Sequence, residues 1–124
     1  MMSQGVQAFA SQLGRLGYQI EIDGDWVIFE YTVPGGTYAG RMVTKGIRVP
    51  PNFPATTPHG IDFTPRFENR PINQNAGHPE RSHPSRRWGN EGEHWSRPHP
   101  GWNAEPKKDV ATYMAHVAEL WMTT

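Results

Sequence analysis

The sequence predicts a single α+β domain over residues 1–124: an N-terminal helix, an antiparallel four-stranded meander, a long irregular segment and a C-terminal helix. Three observations carry that class. Apolar residues recur three or four apart near both ends, which is helical spacing. Between the ends they alternate with polar residues, as half-buried strands require. Short glycine-containing turns separate the alternating runs, which favours antiparallel neighbours.

In the opening segment Val6, Phe9, Leu13 and Leu16 line one helical face; Gly5 and Gly14 weaken it, and Gly17 suits its end. Tyr18, Ile20 and Ile22 then alternate with Gln19 and Glu21 before an Asp23-Gly24-Asp25 turn, a hairpin signal. Residues 26–33 form the next strand, with Val27, Phe29, Tyr31 and Val33 on one face and Trp26, Ile28 and Glu30 on the other. Pro34-Gly35-Gly36 ends it. A third strand over 42–49 puts Val43, Ile47 and Val49 on one side and Arg48 on the other. The run Pro50-Pro51-Asn52-Phe53-Pro54 is too poor in donors for a ladder, so it is an extended connector anchored by Phe53. Residues 60–63 leave room for one more short strand. The last helix places Val110, Tyr113, Met114, Val117, Leu120 and Trp121 at the 3.6-residue period, with Pro106 in its first turn and Asp109 early in it, where a negative charge suits the helix dipole. His116 lies off the strongest apolar stripe and reads as a surface or boundary residue.

Residues 64–103 lack periodicity but hold four of the six histidines (His78, His83, His94 and His99) and three of the five tryptophans (Trp88, Trp95 and Trp102). A long irregular segment in a small domain points to function or disorder, and these aromatics favour order.

Twelve basic residues balance twelve acidic ones, so net charge gives no ground for nucleic-acid or membrane binding. No stretch approaches the roughly 18 apolar residues of a membrane span, and no secretion signal opens the chain, so the expected location is cytoplasmic. The chain contains no cysteine, which removes disulfides, thiolate ligands and any thioester. The glycine clusters lack the lysine and the strand-to-helix setting of a phosphate loop, and no cofactor is expected. His78 and His83, with His94 and His99, are the alternative metal-ligand set. A four-residue gap gives a common face only inside a helix, which the surrounding prolines and glycines oppose. Arg81, Arg86, Arg87 and Arg97 stand among aromatics, so a metal- or RNA-binding adaptor is a third functional reading.

Local sequences add a resemblance. Pro34-Gly35-Gly36-Thr37-Tyr38-Ala39-Gly40-Arg41, then Val49-Pro50-Pro51-Asn52-Phe53-Pro54-Ala55-Thr56-Thr57-Pro58, then Ile61-Asp62-Phe63-Thr64 follow the Tyr-x-Gly-Gly turn, proline-spaced connector and short strand of ubiquitin-conjugating domains. Arg41 replaces the second glycine of the pair. His83-Pro84-Ser85 resembles the His-Pro-Asn signature, with His78-Pro79-Glu80 as a rival, and Trp102-Asn103-Ala104 resembles the Trp-Ser-Pro segment. Over residues 26–121 the chain is similar to a cysteine-lacking branch of the E2/UBC-like superfamily, prokaryotic E2 family E. The resemblance implies a bacterial ubiquitin-like modification system. Its partners would be a ubiquitin-like protein, a ubiquitin-activating-like (E1-like) protein or a JAB-type peptidase-like protein.

Family spacing back from the Trp102 segment puts His94 at or beside the missing nucleophile. His94 and His83 are therefore the catalytic candidates, as acid, base or acyl acceptor. His83 is also a candidate for orienting the loop. Trp95, His99 and Trp102 are the partner-binding candidates. A histidine-dependent acyl-transfer or hydrolytic enzyme is the alternative to a partner-binding component.

Overall fold

The computed structural model describes residues 3–67 and 84–123. Helix α1 (Gln4–Arg15) is followed by strands β1 (Ile20–Asp23), β2 (Trp26–Thr32), β3 (Met42–Arg48) and β4 (Ile61–Thr64). Strands β5 (Pro84–Ser85) and β6 (Gly89–Trp95), one turn of 3-10 helix (Trp102–Ala104) and helix α2 (Val110–Met122) complete the described chain. The architecture is α+β, with the two terminal helices flanking an open antiparallel sheet of order β1-β2-β3-β4-β6-β5.

Ser3 starts α1, its hydroxyl accepting the Val6 amide at 3.2 Å, as an N-cap serine does. Val6, Phe9 and Leu13 are buried as the spacing predicts, but Leu16, at the helix end, is 49% exposed. Gly5 does more than weaken the helix. A β-carbon there would run into the carbonyl oxygens of Pro50 and Pro51, and the Gly5 amide donates to Pro51 at 3.0 Å. The connector is thus strapped to the first turn of α1, with Phe53 buried against Phe9, ring centroids 5.2 Å apart.

The cross-strand register puts Ile20, Phe29, Lys45, Phe63 and Glu93 in one row and Ile22, Val27 and Ile47 in another. This face carries the core, closed by Tyr113, Val117 and Trp121 of α2. Trp121 is fully buried against Trp95 and Phe63, with ring centroids at 4.4 and 4.9 Å. The opposite face carries Trp26, Ile28, Gly46, Asp62 and His94.

Three expectations change. The proline connector is not extended but turned, the Phe53 amide donating to the Pro50 carbonyl at 3.0 Å and the Ala55 amide to Asn52 at 2.9 Å. The sheet is not a four-stranded meander: β6 enters beside β4, and β5 pairs on its far side. The run Gly89-Asn90-Glu91-Gly92-Glu93-His94-Trp95 lacks apolar alternation because Glu93 and His94 are buried through polar partners. The Glu93 carboxylate accepts from the Phe67 amide at 3.1 Å and from Trp95 Nε1 at 3.4 Å. Helix α2 also starts later than expected. Asp109 is its N-cap, accepting the Thr112 amide at 2.9 Å, and Pro106 lies before the first turn. Hydrogen bonding to Thr112 holds the Asp109 carboxyl below its ordinary range.

Candidate functional site

On the sheet face turned away from the helices, a cleft of about 390 Å³ is lined by Trp26, Arg48, His59, Asp62, Arg86 and His94, with the proline connector forming one wall. The β5–β6 turn folds over the neighbouring part of this face. A β-carbon at Gly46 would meet Trp88 at 3.1 Å and Trp26 at 3.2 Å. The absence of a side chain there lets the two indoles close together. The Arg87 guanidinium lies over both rings and bonds Asp23 at 2.9 Å.

The floor of the cleft is a buried polar cluster. Asp62 and His94 are paired residues of β4 and β6, 2% and 3% exposed. His94 Nδ1 lies 2.6 Å from Asp62 Oδ1. The other carboxylate oxygen accepts the Ser85 hydroxyl at 2.6 Å and the Arg86 amide at 2.7 Å. A carboxylate that already accepts from Ser85 and Arg86 can only accept, so Nδ1 is the nitrogen that donates to it. A carboxylate orients a catalytic histidine in this way, but here Nε2 is itself buried, so a proton could pass through it only if the cleft floor opened. Ser85 is not a nucleophile in this cluster. Its hydroxyl donates to Asp62 and accepts the amides of Arg87 and Trp88, both at 3.0 Å, and it bonds the aspartate rather than the imidazole.

Around the rim, Arg48 bonds Asp25 at 2.8 Å, and this bond lowers the Asp25 pKa. His59 is exposed, with Nε2 2.8 Å from the Ser96 hydroxyl.

The other sequence candidates fall in different places. His78 and His83 lie outside the described residues. Trp95 is fully buried and Trp102 is 3% exposed. Both are core side chains, and Trp102 spends its Nε1–H on the Pro54 carbonyl at 2.7 Å. Neither offers its ring to a partner on the folded surface, because Trp95 packs inward on Phe63 and Trp121 and Trp102 on Phe53. His99 is partly exposed beside Trp102 and His116, and its Nδ1 accepts the Gly101 amide at 3.1 Å. His116 is a boundary residue, 2.8 Å from the Arg97 carbonyl, and burial lowers its pKa. Among the described residues no group of three or more potential ligands is placed to hold a metal ion, and no helix is long and apolar enough to cross a membrane.

Sequence reasoning missed Asp62, His59 and Lys45. Lys45 was legible, since it sits between Val43 and Ile47 at the inward positions of β3. Asp62 was half legible: alternation turns it away from the face of Ile61 and Phe63, but its pairing with His94 is a tertiary fact.

With no cysteine, the chain has no thiol to carry a thioester, so cysteine-dependent conjugation is closed to it. No family model matches the sequence, and neither a curated protein nor a solved structure shows significant similarity to it.

Proposed function

We propose that this protein is a cysteine-free E2-like component of a bacterial ubiquitin-like modification system. It would engage a ubiquitin-like modifier, its E1-like activating protein or a JAB-type peptidase-like protein without a thioester. One observation carries the reading. His94, the residue that family spacing sets at or beside the missing nucleophile, lines the 390 Å³ cleft and is held by Asp62 at 2.6 Å. The order of helix, three antiparallel strands, proline connector, a fourth strand and closing helix supports the UBC-like description, with β5 and β6 as its departure.

The test is titration of the protein with the ubiquitin-like and activating proteins encoded beside it. Direct binding is expected, and Arg86→Glu in the cleft wall should weaken it. Absence of binding to all of them at high micromolar concentration sinks the reading.

The Asp62–His94 pair favours a second reading, histidine-dependent acyl transfer or hydrolysis. Here His94→Ala should abolish product formation from an activated modifier. Asp62→Asn should lower the rate by up to about 10⁴-fold, the cost of losing the correct tautomer. If His94→Ala leaves every rate unchanged, the enzyme reading fails.

A further inference from the structure

We infer that Ser96 is an acyl-accepting nucleophile with His59 as its base, and that the cleft takes an activated acyl group, an acyl phosphate, as substrate. The inference deepens the cleft reading above and rests on it. It starts from the chemical vacancy left by the missing thiol: an acyl carrier needs a nucleophile, and the hydroxyl of Ser85 is fully engaged. Ser96 differs. It follows β6 directly, beside the cleft rather than among its lining residues, where the chain turns as the Arg97 amide donates to the Trp95 carbonyl at 3.0 Å. Its hydroxyl lies 2.8 Å from His59 Nε2, the reach of a nucleophile to its base, and His59 lines the cleft.

The backbone explains the meeting. Ile61 pairs with Trp95 at the end of the β4–β6 ladder. A β-carbon at Gly60 would run into the Trp95 carbonyl, so only glycine lets the chain before β4 lie against Ser96. Arg86 lines the same cleft, and its guanidinium has no partner among the described residues. A free guanidinium complements the anionic leaving group of an acyl phosphate.

The step balances. Ser96 Oγ bonds to the acyl carbonyl carbon while its proton passes to His59 Nε2. The bond from that carbon to the phosphate oxygen breaks, and phosphate leaves with the electron pair. An amine or water later attacks the ester with His59 as base, and Ser96 regains its proton. Among the described residues no carboxylate holds the His59 ring, unlike that of His94. A dyad without that support is slower by as much as about 10⁴-fold, so a stoichiometric ester is expected rather than rapid turnover.

The experiment exposes the intact protein to an alkyl fluorophosphonate, which esterifies activated serines, and separately to acetyl phosphate, followed by intact mass and peptide mapping. Expected is one modification per chain at Ser96 with either probe, the acetyl ester being cleaved by hydroxylamine. Ser96→Ala should abolish it, and His59→Gln should slow it by about 100-fold or more. Ser96→Cys should be acylated faster than the serine. Each variant should keep the wild-type circular dichroism and melting temperature. Labelling that persists in Ser96→Ala, or no ester on a folded wild type, overturns the assignment. If modifier binding holds while Ser96 stays unmodified, the nucleophile alone is lost. If Ser96 is acylated while no modifier binds, the acyl chemistry stands and the modification-system reading falls.

Discussion

Lys45 stands on the face that the helices cover, fully buried, with Nζ 4.3 Å from the Tyr31 ring and 4.7 Å from the Trp121 ring. No hydrogen-bond acceptor reaches that nitrogen among the described residues. Desolvation holds its pKa well below the ordinary 10.5, and the ring faces offset only part of that loss. The unfolded chain keeps the lysine proton up to its ordinary pKa, whereas the folded chain releases it earlier. Between those limits the unfolded state binds more protons, so stability rises with pH. Tyr31 and Tyr113, whose phenols burial pushes above 10.0, act in the opposite sense once the unfolded chain ionises. Urea midpoints measured from neutrality to about pH 9.5 should therefore climb in the wild type. Lys45→Met should flatten that slope and add on the order of 1–3 kcal/mol at neutral pH, the cost of an unsatisfied buried donor. A destabilised Lys45→Met protein would mean that the amine has a partner in solution. The sequence shows this lysine in an inward register, but not that its charge is missing. That depends on Trp121, which reaches it from the far end of the chain.

Elements were readable where one face is apolar and hidden where polar pairing replaces it. Helix α1, β2, β3 and the anchoring of Phe53 follow from periodicity alone. Strand β6 does not, because two of its four buried positions are Glu93 and His94, whose partners come from Phe67 and Asp62. The candidate site was legible to the same extent: His94 was found, and its carboxylate was not. Two predictions belong to this scale. Asp109→Ala removes the N-cap of α2 and should cost about 1 kcal/mol in thermal unfolding. The lowered carboxyl makes that contribution full above its ordinary pKa of 3.8 and lost as the pH falls through the folded value. An Asp109→Ala protein should accordingly lose its deficit against wild type in strong acid. Gly60→Ala sets a β-carbon against the Trp95 carbonyl. It should destabilise by more than 2 kcal/mol, since backbone cannot yield as a side chain can. A wild-type melting temperature for Gly60→Ala would show that the β4–β6 junction is looser than described.

At the scale of the molecule, one core joins both helices to four of the six strands, since Val6, Phe9, Val27, Ile47, Phe63, Trp95, Val117 and Trp121 form a single buried cluster. Unfolding followed by tryptophan fluorescence and by far-ultraviolet circular dichroism should give coincident transitions. Separate midpoints would divide the domain. The termini are coupled further by Gln12, whose side-chain oxygen accepts the Val110 amide at 2.8 Å, so α1 helps to start α2. The direction of synthesis sets the order in which these parts can meet. The sheet and α1 emerge from the ribosome before the helix that seals them, leaving Phe63, Trp95 and Tyr31 without their ring partner until Trp121 arrives. A nascent chain halted before Val110 would present an aromatic face with nothing to close it, the kind of surface that chaperones hold.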